Sequence, residues 1–262
     1  MADPLILTDT VGRVRTLCFN RPDQLNAMST PMIFAIVEAM EAAEADEAIG
    51  AVVITGAGKA FMAGADIKEY AGLDEKGFRR FQRDGRRVYE ALERSGKPVI
   101  AAINGYALGG GFEIALATDV IVARRGAKMG LPEVKLDLIP GGGGTQRLAR
   151  RIGPNRAFEL LATGEALTAE TFADLGLVSH LTDGDPLDEA VSLATTMAAH
   201  APAALRAIKS LTQLAGESAL GAALDREAEA LHHLFLTTNA RQHIADFAAK
   251  SDERRAEKEA KR

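Results

Sequence analysis

Lys97-Pro-Val-Ile-Ala-Ala-Ile-Asn-Gly-Tyr-Ala-Leu-Gly-Gly-Gly-Phe-Glu113 is the stretch that decides the architecture. Pro98 to Ile103 is a short, continuous apolar run, the pattern of a strand buried on both faces. Three glycines, Gly109 to Gly111, then lead into a short helix predicted over Gly111 to Thr118. Glycines without side chains let a ligand atom lie against the main chain. The first N–H groups of a helix lack internal partners and attract negative charge.

The same texture extends in both directions. Leu5 to Thr8 and Val14 to Phe19 read as short strands joined at Gly12, and a helix begins at Thr30, with Ile33, Ile36, Val37 and Met40 at helical spacing and Pro31 in its first turn. Ala51 to Thr55 and Asp119 to Ala123 are further apolar strands, and Gly142 to Ile152 a further helix. The charged segment Glu69 to Arg87 contains Gly72, Gly77 and Gly85. It reads as a mobile or amphipathic segment leading into a helix around Val88 to Arg94. Strand, turn and helix alternate closely, which predicts an α/β fold with strands covered on both sides.

After about Leu181 the sequence turns to alanine-rich helices, roughly Pro186 to Ala199, Ala203 to Ala215 and Leu220 to Leu236. The expected division is a core over residues 1–195 and a helical region over 196–262, packed on the core or on another subunit. Ser251 to Arg262 is almost wholly charged and is expected to be a solvated extension.

At 262 residues and 47% hydrophobic composition, the chain has enough apolar residues for a sizeable core. A net charge of -5, no Trp and three Tyr leave no basic surface interleaved with aromatics, so nucleic acid is not an expected partner. Cys18 is the only cysteine, which excludes a disulfide framework and fits a reducing, cytoplasmic setting. Met1 to Thr10 lacks the basic start and apolar run of a signal peptide, and no segment approaches the ~20 apolar residues of a membrane span.

Two carboxylates stand at glycine-lined element ends. Glu113 falls in the first turn of the helix after the triple glycine, and Glu133 follows Pro132 at the end of a strand-like segment. Converging on one site, such a pair can divide acid and base roles, because burial and mutual repulsion separate their pKa values. The alternatives are a carboxylate stabilising its own helix and a surface loop residue. Ala63-Gly-Ala-Asp-Ile-Lys68 is a second small-residue turn after a strand. Amides near Ala65 and Gly110 would together make an oxyanion hole, although from these residues alone an ordinary strand-to-helix turn is the favoured reading.

Other chemistries find less support. Gly141 to Gly144 lacks the Lys-Ser or Lys-Thr of a nucleotide P-loop, and Gly56-Ala-Gly-Lys59 meets Phe61 where a dinucleotide fingerprint needs its third glycine. No serine sits in a Gly-x-Ser-x-Gly elbow. His180, His200, His232, His233 and His243 are scattered outside any metal-binding pattern, so no metal site is expected.

At these residues the chain resembles the enoyl-CoA hydratase/isomerase family, also called the crotonase family. Asn20-Arg-Pro-Asp-Gln-Leu-Asn-Ala-Met28, Lys59 to Glu69, Lys97 to Glu113, and Leu131-Pro-Glu133 through Gly143-Gly-Thr-Gln-Arg147 stand in the family's order and spacing. Weaker similarity continues to about Lys250. The resemblance implies a crotonase-like spiral of strand-strand-helix units, followed by C-terminal helices that form a homotrimer or a dimer of trimers.

It also implies roles. Ala65 and Gly110 match the positions whose backbone N–H groups bind the thioester oxygen, and Glu113 and Glu133 match the two catalytic glutamates of hydratases. Glu133 is then the main acid toward C2 and Glu113 the base toward water. Gln24, Leu25 and Ala27, with Ala63, Gly64, Asp66, Ile67 and Lys68, match the segments that contact coenzyme A. Gly109 gives the substrate room, and Gly141 matches the glycine at a helix start beside the site. Coenzyme A would arrive as part of the substrate, with no separate cofactor. Hydration of an enoyl-CoA is the activity implied, with 3,2-isomerisation as the alternative and a non-catalytic acyl-CoA-binding protein as the alternative of another class. Asp23 departs from the lysine often found there in relatives, and the tail after Phe247 lacks their Lys-Arg-x-Pro-type ending.

Overall fold

The computed structural model describes residues 3–215 and 217–249; the charged extension 251–262 lies outside them. The chain enters through an antiparallel hairpin of β1 (Ile6–Val11) and β2 (Val14–Phe19), then helix α1 (Thr30–Ala45). Three units of one pattern follow. The first is β3 (Ala51–Gly56), β4 (Ala60–Ala63), α2 (Ile67–Ala71) and α3 (Glu75–Arg94). The second is β5 (Val99–Ile103), β6 (Tyr106–Leu108) and α4 (Gly110–Ala117). The third is β7 (Val120–Arg124), β8 (Lys128–Gly130), a 3-10 turn (Pro132–Leu136), α5 (Gly144–Ile152) and α6 (Pro154–Thr163). β9 (Ala166–Thr168), α7 (Ala169–Asp174), β10 (His180–Thr182) and α8 (Pro186–Ala198) come next, then α9 (Pro202–Leu214) and α10 (Leu220–Thr237).

Each unit places its first strand in one sheet and its second in another. The larger sheet has the order β1-β2-β3-β5-β7-β10 and is parallel after the opening hairpin; the smaller has the order β4-β6-β8-β9 and is parallel except for β8 and β9. The chain thus advances by one strand in each sheet per turn, which is the spiral expected. The second strands are only three or four residues long; the sequence reading passed over β4 and β6 and noted β8 only as a strand-like segment before Glu133, and it also passed over α6, α7 and β10. Such short segments carry too little periodicity to be read from pattern.

The central strands of the larger sheet are buried on both faces. Val52 and Ile54 of β3, with Val99, Ala101 and Ile103 of β5, point into the main core, while Val53, Ile100, Ala102 and Val122 point to the opposite face. That second face is covered by α8, which presents Ala190, Ala194 and Ala198 at four-residue intervals. These small side chains allow a close approach.

One expectation is corrected. Residues 75–94 form a single amphipathic helix, so the amphipathic reading of Glu69 to Arg87 holds, the mobile one does not, and the helix begins well before Val88. Asp74 caps it by accepting from the Gly77 N–H at 2.7 Å, and the pairs Glu75–Arg79 and Arg86–Glu90 lie one helical turn apart on its exposed side. A Cβ at Gly85 would lie 3.7 Å from Ile33 Cδ1 of α1, an ordinary van der Waals contact, so packing on α1 does not demand glycine there. The chain falls into two compact units, Met1–His200 and Ala201–Arg262. The expected division between 195 and 196 falls inside α8. Among the described residues no helix is long and apolar enough to cross a membrane.

Candidate active site

Sheet register builds the site. Ala63 of β4 pairs with Leu108 of β6, and Leu108 pairs with Gly130 of β8. Ala65, Gly110 and Glu133 therefore emerge side by side, just past the C-terminal ends of three adjacent parallel strands, the place where open α/β sheets receive ligands. They line a cavity of about 240 Å³.

Ala65 and Gly110 line this cavity, and among the described residues neither N–H serves the fold's hydrogen bonding. Ala65 is bridged to Met28, but the hydrogen bonds come from its neighbours. Met28 N–H donates to Gly64 O, and Asp66 N–H donates to Met28 O, both at 2.8 Å. Gly110 is the first residue of α4, where N–H groups lack an intrahelical acceptor. The turn before it is held by Gly109 N–H donating to Gly130 O at 2.9 Å, with Gly109 at φ +52°. A Cβ there would also lie 2.9 Å from Glu133 Oε1, so the position suits glycine twice over.

The two carboxylates sit in contrasting surroundings. Glu113 is 2% exposed, and its Oε1 accepts from Gly142 N–H at 2.8 Å and Gly144 N–H at 2.7 Å. The second glycine run is thus a cradle for a carboxylate. Burial raises the Glu113 pKa, while these two amides, the Arg147 charge and the Tyr89 hydroxyl oppose the rise. Glu133 is half-buried, and its Oε2 is enclosed with no protein hydrogen-bond partner. Burial, and secondarily the charge of Glu113, lift its pKa to about 7.

Tyr89 and Arg147 complete the inner wall. The Tyr89 ring packs so closely on the Gly142 backbone that a Cβ at Gly142 would stand 2.2 Å from Cζ. Arg147 lies 5.5 Å from the ring centroid, pairs with both oxygens of Glu93 at 2.6 and 2.8 Å, and donates to the Gly142 carbonyl. Tyr70, Phe81, Leu136 and Ile139 give the cavity an apolar side, with Gln82 and Arg86 also lining it.

Of the residues singled out in the sequence, Glu113, Glu133, Ala65, Gly110, Ala63, Gly64, Ile67, Gly109 and Gly141 line this cavity. Gln24, Leu25, Ala27, Asp66 and Lys68 do not. They lie in two segments tied to each other. Arg21 donates to Ala27 O at 2.7 Å and pairs with Asp66 at 2.8 Å, and Ala63 N–H donates to Leu25 O at 3.0 Å. Asp66 also caps α2, and its hydrogen bond from Arg21 holds its carboxyl below the usual carboxylate range. The sequence reading missed Tyr89, Arg147 and the amides of Gly142 and Gly144. Only the helical spacing of Phe81, Gly85, Val88, Tyr89 and Leu92 hinted that Tyr89 faces inward.

A family profile described as enoyl-CoA hydratase/isomerase matches residues 10–257. The 2,3-dehydroadipyl-CoA hydratase of Escherichia coli (strain K12) is 41% identical over 240 residues, 91% of this chain and 93% of that protein. The short-chain-enoyl-CoA hydratase of Clostridium acetobutylicum is 35% identical over 94% of this chain and 95% of its own length. Among solved structures, an enoyl-CoA hydratase from Bacillus anthracis superposes with a TM-score of 0.90 at 35% identity, covering 94% of this chain and 96% of that one. On the profile match over most of its length, the close relatives and the shared spiral fold, the chain belongs to the enoyl-CoA hydratase/isomerase (crotonase) family of enzymes.

Proposed function

We propose that the protein hydrates a trans-2-enoyl-CoA thioester to the corresponding 3-hydroxyacyl-CoA. One observation carries this reading: two glutamates, both with pKa raised by burial but only Glu113 held by backbone amides from the second glycine run, line one cavity beside the amides of Ala65 and Gly110. The thioester oxygen accepts from Ala65 N–H and Gly110 N–H, which polarises the conjugated system and makes C3 electrophilic. In enzymes generally each such donor is worth about 3 kcal/mol of barrier. Glu113, whose two amide bonds oppose the rise that burial gives its pKa, takes a proton from water as the oxygen bonds to C3. Glu133, whose pKa of about 7 leaves it substantially protonated at neutral pH, delivers a proton to C2. Addition of one water balances the step.

The acyl group runs along Tyr70, Phe81, Leu136 and Ile139. Coenzyme A, a part of the substrate, lies on the joined segments of Gln24 to Ala27 and Ala63 to Lys68, with Gly64, Asp66 and Ile67 among its contacts; no metal or separate cofactor is needed. Assembly is as a homotrimer, alone or paired. Supporting this, α10 leaves Leu220, Leu224, Leu231 and Phe235 exposed along its length.

The test is to follow a short trans-2-enoyl-CoA with the purified protein by absorbance and product mass. Loss of the conjugated thioester band with gain of one water is expected. An unchanged band, a shifted double bond or free coenzyme A overturns the reading. Glu133→Gln should lower kcat by roughly 10²- to 10⁴-fold while acyl-CoA binding persists.

A further inference from the structure

Tyr89 is a buried phenol that the hydration chemistry does not require, yet its hydroxyl stands at the centre of the site. Cβ atoms built at Gly110 and Gly142 would lie 3.5 and 2.3 Å from that oxygen, placing it between the start of α4 and the second glycine run. We infer that Tyr89 is a positioning residue for hydration: its neutral hydroxyl donates to the Glu113 carboxylate and aims the base at the attacking water. The inference rests on the hydratase reading above.

The surroundings hold the phenol in this role. Arg147 lies against its ring at 5.5 Å and is itself fixed by Glu93 and the Gly142 carbonyl. The same Gly142 donates its N–H to Glu113 at 2.8 Å. Glu113, Tyr89, Gly142 and Arg147 thus form one closed network, in which the phenol bridges α3 to the base. Burial, and then the charge of Glu113, push the Tyr89 pKa well above its ordinary value, so it stays a donor throughout the working range. The charged and titratable groups that bear on the pair are Glu93 of α3, Arg147 of α5, Glu133 of the 3-10 turn and Tyr70 of α2.

Tyr89→Phe deletes the hydroxyl and keeps the ring on Gly142 and under Arg147. Expected are a fall in kcat of roughly tenfold to a hundredfold, KM changed less than about twofold, and an acidic limb of the kcat/KM profile moved to higher pH. Infrared titration of protein labelled with ¹³C-glutamate, with Glu113→Gln to assign the band, should show the Glu113 carboxylate titrating at higher pH in the variant. An unmoved limb and band, or a loss of activity accompanied only by a lower unfolding temperature, overturns the inference.

The infrared readout needs no turnover. Failure of the hydratase reading therefore shows as no hydration by the unmodified protein, whereas failure of the Tyr89 inference shows as an unmoved band. If Tyr89→Phe does not fold, 3-fluorotyrosine at position 89 replaces it: a more acidic phenol should move the Glu113 band to lower pH, and no movement refutes the role.

Discussion

Single residues divide the work of this site through their surroundings. Glu133 carries a measurable consequence beyond catalysis. Its pKa rises from 4.5 to about 7 on folding, so between these values the folded chain keeps a proton that the unfolded chain releases. The contribution to stability is fully present below about 4.5 and is lost as pH rises through 7. Calorimetry should therefore show the unfolding temperature falling more steeply between pH 5 and 8 in the unmodified protein than in Glu133→Gln. Asn26 shows the other extreme, a buried polar residue with purely architectural work. It is fully buried at φ +59°, its amide nitrogen donates to the carbonyls of Ala57, Ala60 and Phe61, and its oxygen accepts from Arg21 N–H. Asn26→Ala leaves those carbonyls without their donor and should cost about 3 kcal/mol in denaturant unfolding. Glu113 and Glu133 were legible as residues because acids beside glycine runs are conspicuous. Their differing environments were not, because the amides of Gly142 and Gly144 come from a distant loop.

At the scale of elements, the glycine runs and α3 act together. The run Gly141 to Gly144 invites a phosphate-loop reading in sequence; folded, it presents its amides to a side chain of its own protein. Close packing of Tyr89 on Gly142 makes that position intolerant of any side chain. Gly142→Ala should force the phenol aside, destabilise the fold by about 1–3 kcal/mol in thermal unfolding, and lower kcat. α3 was half legible. The helical spacing of Val88 to Arg94 was clear, whereas Gly77 and Gly85 and the density of charge masked the preceding turns. Burial of Val88, Tyr89 and Leu92 in the core, with the cap at Asp74, outweighs those glycines, each of which costs a helix about 1 kcal/mol relative to alanine.

For the whole molecule, composition and alternation of apolar strands with helices were enough to read an α/β fold, and the spiral followed from resemblance. The allocation of strands to two sheets was not readable, since β4, β6 and β8 are too short to announce themselves. Their pairing is nonetheless what creates the site. The exposed apolar residues of α10 bear on the proposed assembly: Leu231→Asp combined with Phe235→Asp should convert the proposed trimer to monomers in light scattering. The smaller sheet also serves as a ruler. Adjacent strands lie about 4.8 Å apart, so the two amides proposed to bind the thioester oxygen and the proposed acid hang from successive marks on a rigid scale. Loops beyond those marks can be rewritten to admit another acyl group without moving the marks themselves, which separates the choice of substrate from the spacing that its chemistry demands.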